Sequence, residues 1–398
     1  MLILNTLPNH RQPLAAVDAA AFGAQAADDV ASFLRLRDGH APTPLLSLPG
    51  LARELDIGAI HIKDEGKRLG LGSFKALGGA YAVVRVVLEA ASARLGRKVD
   101  IAEWRSPEVA DVAAGMTFAC ATDGNHGRSV AQGARLVGAQ SVVFVHAGVS
   151  DERVAAIASY GARMVRVDGG YDDSVREAAR QAEANGWTVV SDTSWPGYET
   201  IPRLVMQGYT ALVAEALAAM PAPPTHVFVQ AGVGGIAAAV AAHMALTFGE
   251  ARPFMGVVEP SLAACVFASA GAGRPVKVAH AGATVMAMLE CHEPSLVAFD
   301  ILSRAADAFM TVEDDDAVMV MRRLARPAAG DPAVVAGESG GVGLAGLIKA
   351  AGDLALRAAI GLGPQSRVFL INTEGATDPA LYRQLIGTPP EAAEMSMA

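Results

Sequence analysis

The sequence predicts an α/β protein built from two open, twisted, mostly parallel sheets flanked by helices. Three observations carry that expectation. Short β-rich runs alternate with amphipathic helical runs along most of the chain. Several of those strands run into glycine-rich or polar loops that open the next helix. The chain has 398 residues, 52% of them hydrophobic and 18% charged. That is enough apolar material for a large core, and enough length for two or three domains.

Residues 1–45 read as irregular, because Pro8, Pro13, Pro42 and Pro44 interrupt any long periodic pattern. AIHIKDE (59–65) reads as a strand, followed by the loop KRLGLGS and a helix from about Phe74. TFACAT (117–122), SVVFVH (141–146), ARMVRVDG and WTVVSD (187–192) read as strands. The runs GRSVAQGARLVG, DERVAAIASYG and DDSVREAARQAEANG between them read as helices. After Pro202, LVMQGYTALVAEALAAM reads as a helix, and THVFVQA (225–231) as a strand ending in GVGG. IAAAVAAHMAL reads as the next helix, PFMGVVEP as a strand, and SRVFLINTEG (366–375) as a late buried strand. Ala218 to Pro224 and Ala325 to Val335 look like connections, and no internal repeat is present. The simplest division is a large domain of residues 1–75 and 195–398, with a small α/β domain of residues 76–194 inserted into it. A ligand is expected at the C-terminal ends of the strands, where parallel sheets bind.

Bulk properties exclude several functions. A formal net charge of -9 argues against a nucleic-acid partner, since phosphate binding needs concentrated Lys and Arg. The N-terminus MLILNTLPNH lacks the features of a secretory signal. No uninterrupted apolar run of about eighteen residues occurs, so no membrane span is expected; the longest run noted, Ile236 to Leu246, contains His243. Cys120, Cys265 and Cys291 make neither a disulfide framework nor a metal cluster, and no metal site is expected. Reduced thiols in a cytoplasmic protein fit this usage, with a Cys265–Cys291 pair as the minor alternative.

Five segments carry chemistry. Gly232, Val233, Gly234 and Gly235 follow a strand and open an Ala-rich helix, so backbone N–H groups and the helix dipole make an anion site. Gly232, Gly234 and Ala237 also satisfy G-x-G-x-x-A, with Glu259 ending the next strand. On this segment alone a dinucleotide and a simple phosphate fit equally well. In Gly72-Ser73-Phe74-Lys75, the lysine at a helix start meets unpaired N–H groups that favour its free amine. A solvated lysine explains the spacing as well; the small and apolar surroundings (ALGGAYAVV) speak against that. Asp123-Gly124-Asn125-His126-Gly127 joins a strand to a helix. A helix cap accounts for one polar residue there, not for two glycines bracketing Asn125 and His126. Ser191 to Tyr198 follows a strand, so Asp192 is expected to emerge where it can pair with an amino group; a polar linker is the plainer alternative. Asn372-Thr373-Glu374-Gly375 ends the last strand. Gly337 to Gly341 matches G-x-S-x-G, but no histidine follows His292, so Ser339 is rejected as a hydrolase nucleophile.

Taken in order, Ser-Phe-Lys, Gly-Asn-His-Gly, Gly-Val-Gly-Gly and a late strand ending in a hydroxyl residue and glycine resemble the fold type II pyridoxal-phosphate enzymes, the tryptophan synthase β-like family. The resemblance covers residues 42–380. Within that family KDEGKRLGLGSFKALGGAYAV, ATDGNHGRSVA, SDTSWPGYETIP, GESGG and NTEGATDP are most similar to the diaminopropionate ammonia-lyases. Dehydratases of the family carry Ser where Asp123 stands. The resemblance implies pyridoxal 5'-phosphate held by Lys75, which also moves the Cα proton of an L-substrate. It implies Asn125 on the cofactor ring oxygen, residues 232–235 on its phosphate and Thr373 facing the pyridine nitrogen. It places Ser73, Asp123 and Asp192 at the substrate, with Asp123 as the base for a D-substrate and Asp192 on the second amino group. It further implies a small amino-acid substrate and a homodimer. The rivals are a serine or threonine dehydratase on the same scaffold, a nicotinamide oxidoreductase using GVGGIA, and a non-catalytic binding protein.

Overall fold

The structure, a computed structural model, describes residues 1–122 and 124–395. Its strands, in chain order, are β1 (Leu2–Leu4), β2 (Leu45–Ser47), β3 (Ala59–Asp64), β4 (Thr117–Ala121), β5 (Gln140–His146), β6 (Arg163–Val167), β7 (Thr188–Val189), β8 (His226–Gln230), β9 (Phe254–Pro260), β10 (Ala308–Val312) and β11 (Arg367–Asn372). They form two sheets, ordered β1-β10-β9-β8-β11-β3-β2 and β6-β5-β4-β7. The small sheet is parallel throughout. The large one is parallel in its five central strands, with β1 and β2 antiparallel at its edges.

The chain divides into two compact units, 1–24, 41–74 and 212–398 in one, 25–40 and 75–211 in the other. The division departs from the expected one at residues 25–40, at Lys75 and at residues 195–211, all of which fall in the second unit. Residues 195–211 join the second unit, where helix Thr200–Gly208 packs closely on helix Lys75–Leu95. A Cβ on Gly78 would lie 2.5 Å from the Tyr209 ring and 2.7 Å from the Val205 carbonyl, so only glycine admits this crossing. Residues 25–40 join it because Phe33 packs against Tyr81 and Trp104, and the Arg37 guanidinium donates to the Ala76 carbonyl.

The larger unit buries both faces of its sheet. Ile60, Ile62, Phe228, Val258, Met310, Val368 and Leu370 share one core cluster with Leu344 and Leu347 of helix Val342–Ala351. Each such side chain contributes about 1.5–3 kcal/mol by leaving water. In the smaller unit Ala119, Val142 and Phe144 meet Ala178 and Ala182 of helix Tyr171–Asn185.

Residues 1–45 are only partly irregular. Helices Ala16–Phe22 and Ala24–Arg35 occupy the stretch between Pro13 and Pro42, where alanine outweighs the prolines that flank it. The WTVVSD strand shortens to Thr188–Val189, and the helix read after Pro202 breaks at Tyr209 into Thr200–Gly208 and Thr210–Ala219. Contrary to the expectation from apolar runs, helix Lys75–Leu95 is long and apolar enough to cross a membrane. Most of it is buried in the protein, including Ala76 through Val84, which makes it a core helix.

Candidate active site

In the larger unit the strand order turns back on itself. β8, β9 and β10 step outward in sequence, and β11 then returns to lie between β8 and β3. The C-terminal ends of β8 and β11 therefore stand side by side, at the kind of reversal where parallel sheets bind ligands. Residues 232–235 leave β8, and Thr373 follows β11. Gly234 has φ +99 and caps helix Gly235–Phe248, with no side chain capping its first N–H groups. That leaves backbone donors at a helix start, which fits a phosphate.

Gln230, at the end of β8, is not among the residues singled out in the sequence, yet it holds the loops beside Thr373. Its side chain is fully buried. Its Nε2 donates to the carbonyls of Ser339, Gly340 and Ile371 and to Thr373 Oγ1 at 2.8 Å, while its Oε1 accepts from Gly343 N–H. Carbonyls on one side and an N–H on the other fix which way the amide faces. Thr373 Oγ1 must then accept from Gln230, which directs its own proton elsewhere. A glutamine closing the apolar run Val227–Val229 is the available signal.

The loops around Thr373 are laced together. Thr373 N–H donates to Gly340 O, Gly337 N–H to Glu374 O, and Phe74 N–H to Thr373 O. Ser73 is buried and bridges Glu374. Ser339 is also buried, its Oγ accepting from Met288 N–H, so GESGG is a packing loop. The charged run KDEGKR is explained by a buried ion network. Arg68 pairs with Glu65 and Glu215, and Lys63 with Glu215 and the Thr43 carbonyl. Burial opposes the Arg68 charge, but the two carboxylates outweigh it and raise its pKa.

Glu259 does not serve as a ribose ligand. It is fully buried and accepts from Val266 and Phe267 N–H, 2.8 and 2.6 Å away, at the start of helix Cys265–Ala272. Burial pushes its carboxyl up to about 8. The dinucleotide reading of GVGGIA loses its acidic residue.

In the smaller unit Lys75 opens helix Lys75–Leu95, and its Nζ stands 2.7 Å from Asp192 Oδ2. Asp192 follows β7 in a loop that is built rather than slack. The Tyr198 hydroxyl accepts from Ser191 N–H and donates to the Val189 carbonyl, and its ring stacks on Trp195 at 4.1 Å. Burial pushes the Asp192 carboxyl up, but Lys75 and His126 outweigh that and hold it well below the usual range. His126 Nε2 donates to the Val190 carbonyl, and its Nδ1 lies 3.9 Å from Asp192. Tyr209, buried, has its phenol raised by burial and feels both Lys75 and Asp192. Asn125 is buried at the start of helix Asn125–Val137. Asp123 lies outside the described residues. None of the three cysteines takes part in a disulfide.

A lysine at a helix start, a glycine-rich helix start and a hydroxyl at a strand end fit the groups that pyridoxal phosphate needs, and the chain supplies all three. Comparison with known proteins agrees. Residues 36–374 match the family described as pyridoxal-phosphate dependent enzyme. The chain is 40% identical over 357 residues to the diaminopropionate ammonia-lyase of Escherichia coli (strain K12), covering 87% of this chain and 88% of that protein. The crystal structure of the Escherichia coli enzyme in complex with D-serine superimposes with a TM-score of 0.86 at 35% identity, covering 97% of this chain and 96% of that one. The same values hold for that enzyme in complex with an aminoacrylate-PLP azomethine reaction intermediate.

Proposed function

The chain belongs to the pyridoxal-phosphate dependent enzyme family, and from that premise we propose that it eliminates ammonia from 2,3-diaminopropionate, giving pyruvate and two ammonia. When bound, the cofactor supplies an aldehyde for an amine and a ring that stabilises negative charge at Cα. The observation that carries the substrate reading is the Lys75–Asp192 pair at 2.7 Å. Asp192 is held as a carboxylate, and with Lys75 bonded to the cofactor it would be available to a cationic group of the substrate. The second amino group of diaminopropionate is an ammonium of the right kind, and serine or threonine has none.

The remaining roles follow the same reading. Lys75 holds the cofactor and moves the Cα proton of the L-isomer. Asp123 takes the proton on the opposite face for the D-isomer. Asn125 donates to the cofactor ring oxygen, and Gly232, Val233, Gly234 and Gly235 hold its phosphate. Thr373, accepting from Gln230, offers its proton to the pyridine nitrogen. A hydroxyl there leaves the ring a weaker electron sink than a carboxylate would, which suits a fast-departing β-substituent. Ser73 lies on the substrate side. The domain that carries the phosphate loop is the cofactor-binding one. The unbridged thiols suit a cytoplasmic enzyme, and the family resemblance a homodimer.

The test is turnover of each enantiomer of diaminopropionate, with D-serine and L-serine as comparators, measured as pyruvate and ammonia released. Two ammonia per pyruvate from diaminopropionate, in preference to serine, is the expected result. Preference for serine would make the chain a dehydratase. Borohydride trapping and peptide mapping should place the cofactor on Lys75; a tag on another lysine overturns the site assignment.

A further inference from the structure

The segment between helices Cys265–Ala272 and Leu296–Ala305 runs back on itself, Val278 N–H donating to the His292 carbonyl at 2.8 Å. That contact sets two imidazoles together. His280 Nδ1 stands 3.1 Å from His292 Nε2, with the rings 83° apart. Glu290 Oε1 faces both nitrogens, 3.7 Å from His280 and 4.0 Å from His292. Its other oxygen accepts from Thr284 N–H, which holds the carboxylate in place. A ring-to-ring hydrogen bond accounts for the 3.1 Å contact. It does not account for a carboxylate oxygen turned to both rings yet beyond hydrogen-bond distance of either.

A triangle with those three sides has a centre about 2.1 Å from each corner, the length of a zinc–nitrogen or zinc–carboxylate bond. We propose that His280, Glu290 and His292 form a binding site for a divalent transition cation of the zinc class. Two imidazoles and one carboxylate suit zinc and its neighbours rather than magnesium or calcium, which take oxygen ligands. The fourth position goes to water. The spacing of the three residues in sequence matches no familiar metal motif.

The bound cation has a structural consequence. Cys291, between two of the ligands, packs against the glycine-rich loop, where a Cβ on Gly232 would come 2.9 Å from its Sγ. Ser295 N–H donates to the Val233 carbonyl at 2.9 Å. A cation tying residue 280 to residues 290 and 292 therefore pins the segment that backs residues 232–233. This inference does not depend on which substrate the enzyme uses.

The experiment takes the purified full chain, strips it with a chelator and titrates it with Zn²⁺, counting bound metal by mass spectrometry and calorimetry. Co²⁺ then replaces zinc as a visible reporter of four-coordination. His280→Ala is the variant to compare, since its side chain is exposed and its loss leaves the core intact; His280→Ala with His292→Ala is the second. The expected result is one Zn²⁺ per chain, a four-coordinate Co²⁺ spectrum, and slower hydrogen exchange across residues 278–292. Binding should weaken at least ~10–100-fold in His280→Ala, the loss that removing even an outer-shell partner causes. Binding that survives unchanged in the double variant, or no binding in the unaltered chain, overturns the assignment.

Discussion

At the residue scale the candidate residues of each unit rest on polar groups whose partners fix what they can do. Asp192 is held as a carboxylate beside Lys75, with His126 nearby. If it holds the second amino group of the substrate, Asp192→Asn lowers kcat/KM for diaminopropionate about 10–150-fold. That range corresponds to one hydrogen bond to a charged group, about 1.5–3 kcal/mol. Turnover of D-serine, which lacks that amino group, falls less, and parallel kinetics on the two substrates measure the difference. Asp123→Asn should spare the L-isomer more than the D-isomer; equal losses for both count against one base on each face. Thr373 and Asp192 could be singled out as candidates from the sequence, because strand ends are where parallel sheets bind ligands. Gln230 could not, because its role lies in partners brought from residues 339–343 and 371–373, more than a hundred positions away. Glu259 misled for the same reason, since a strand-end carboxylate looks alike whether it meets a ribose or the start of a helix.

At the element scale helix Lys75–Leu95 positions the lysine. Gly78 lets it touch helix Thr200–Gly208, and beside it Gly79 admits Ser129 of helix Asn125–Val137. Gly78→Ala would drive a methyl into the Tyr209 ring and the Val205 carbonyl, both part of a packed interior. A loss of about 1–3 kcal/mol in urea unfolding is expected, the usual cost of overpacking, with a lower yield of cofactor-loaded protein. The strands of both sheets were legible where apolar runs ended in glycine or polar loops, as at β4, β5, β8, β9 and β11. β1, β2 and β10 were passed over: the first two are three residues each, and none is followed by a loop that carries chemistry. The N-terminal helices were hidden by the prolines around them, although alanine content alone favours helix between residues 15 and 35.

At the scale of the whole molecule the N-terminus is tied to the far edge of the large sheet. β1 pairs with β10, and Asp307 collects Arg252 at 2.6 Å, His10, Arg11 and the Met255 N–H. Burial pushes the Asp307 carboxyl up, but Arg252 outweighs it and leaves the pKa below its ordinary value. The folded carboxyl therefore binds fewer protons than the unfolded one near pH 4, and its stabilisation is lost as pH falls through the folded value. Asp307→Asn should cost about 3–5 kcal/mol at pH 7, because Arg252 is left buried without its counter-charge. It should also flatten the acid limb of the stability profile, measured by urea unfolding between pH 3 and about 7.

The order of the large sheet bears on how the chain is made. β11 lies between β8 and β3, so the last strand of this sheet to leave the ribosome is the one that joins its two halves. Until residues 367–372 emerge, β3 with β2 and β8 with β9 and β10 have no common neighbour, and both expose an unpaired, apolar central edge. Long-range pairing of this kind is slow, and bare edges of this kind aggregate. A nascent chain halted before β11 should thus be a chaperone client, whereas the completed one closes both edges in a single insertion.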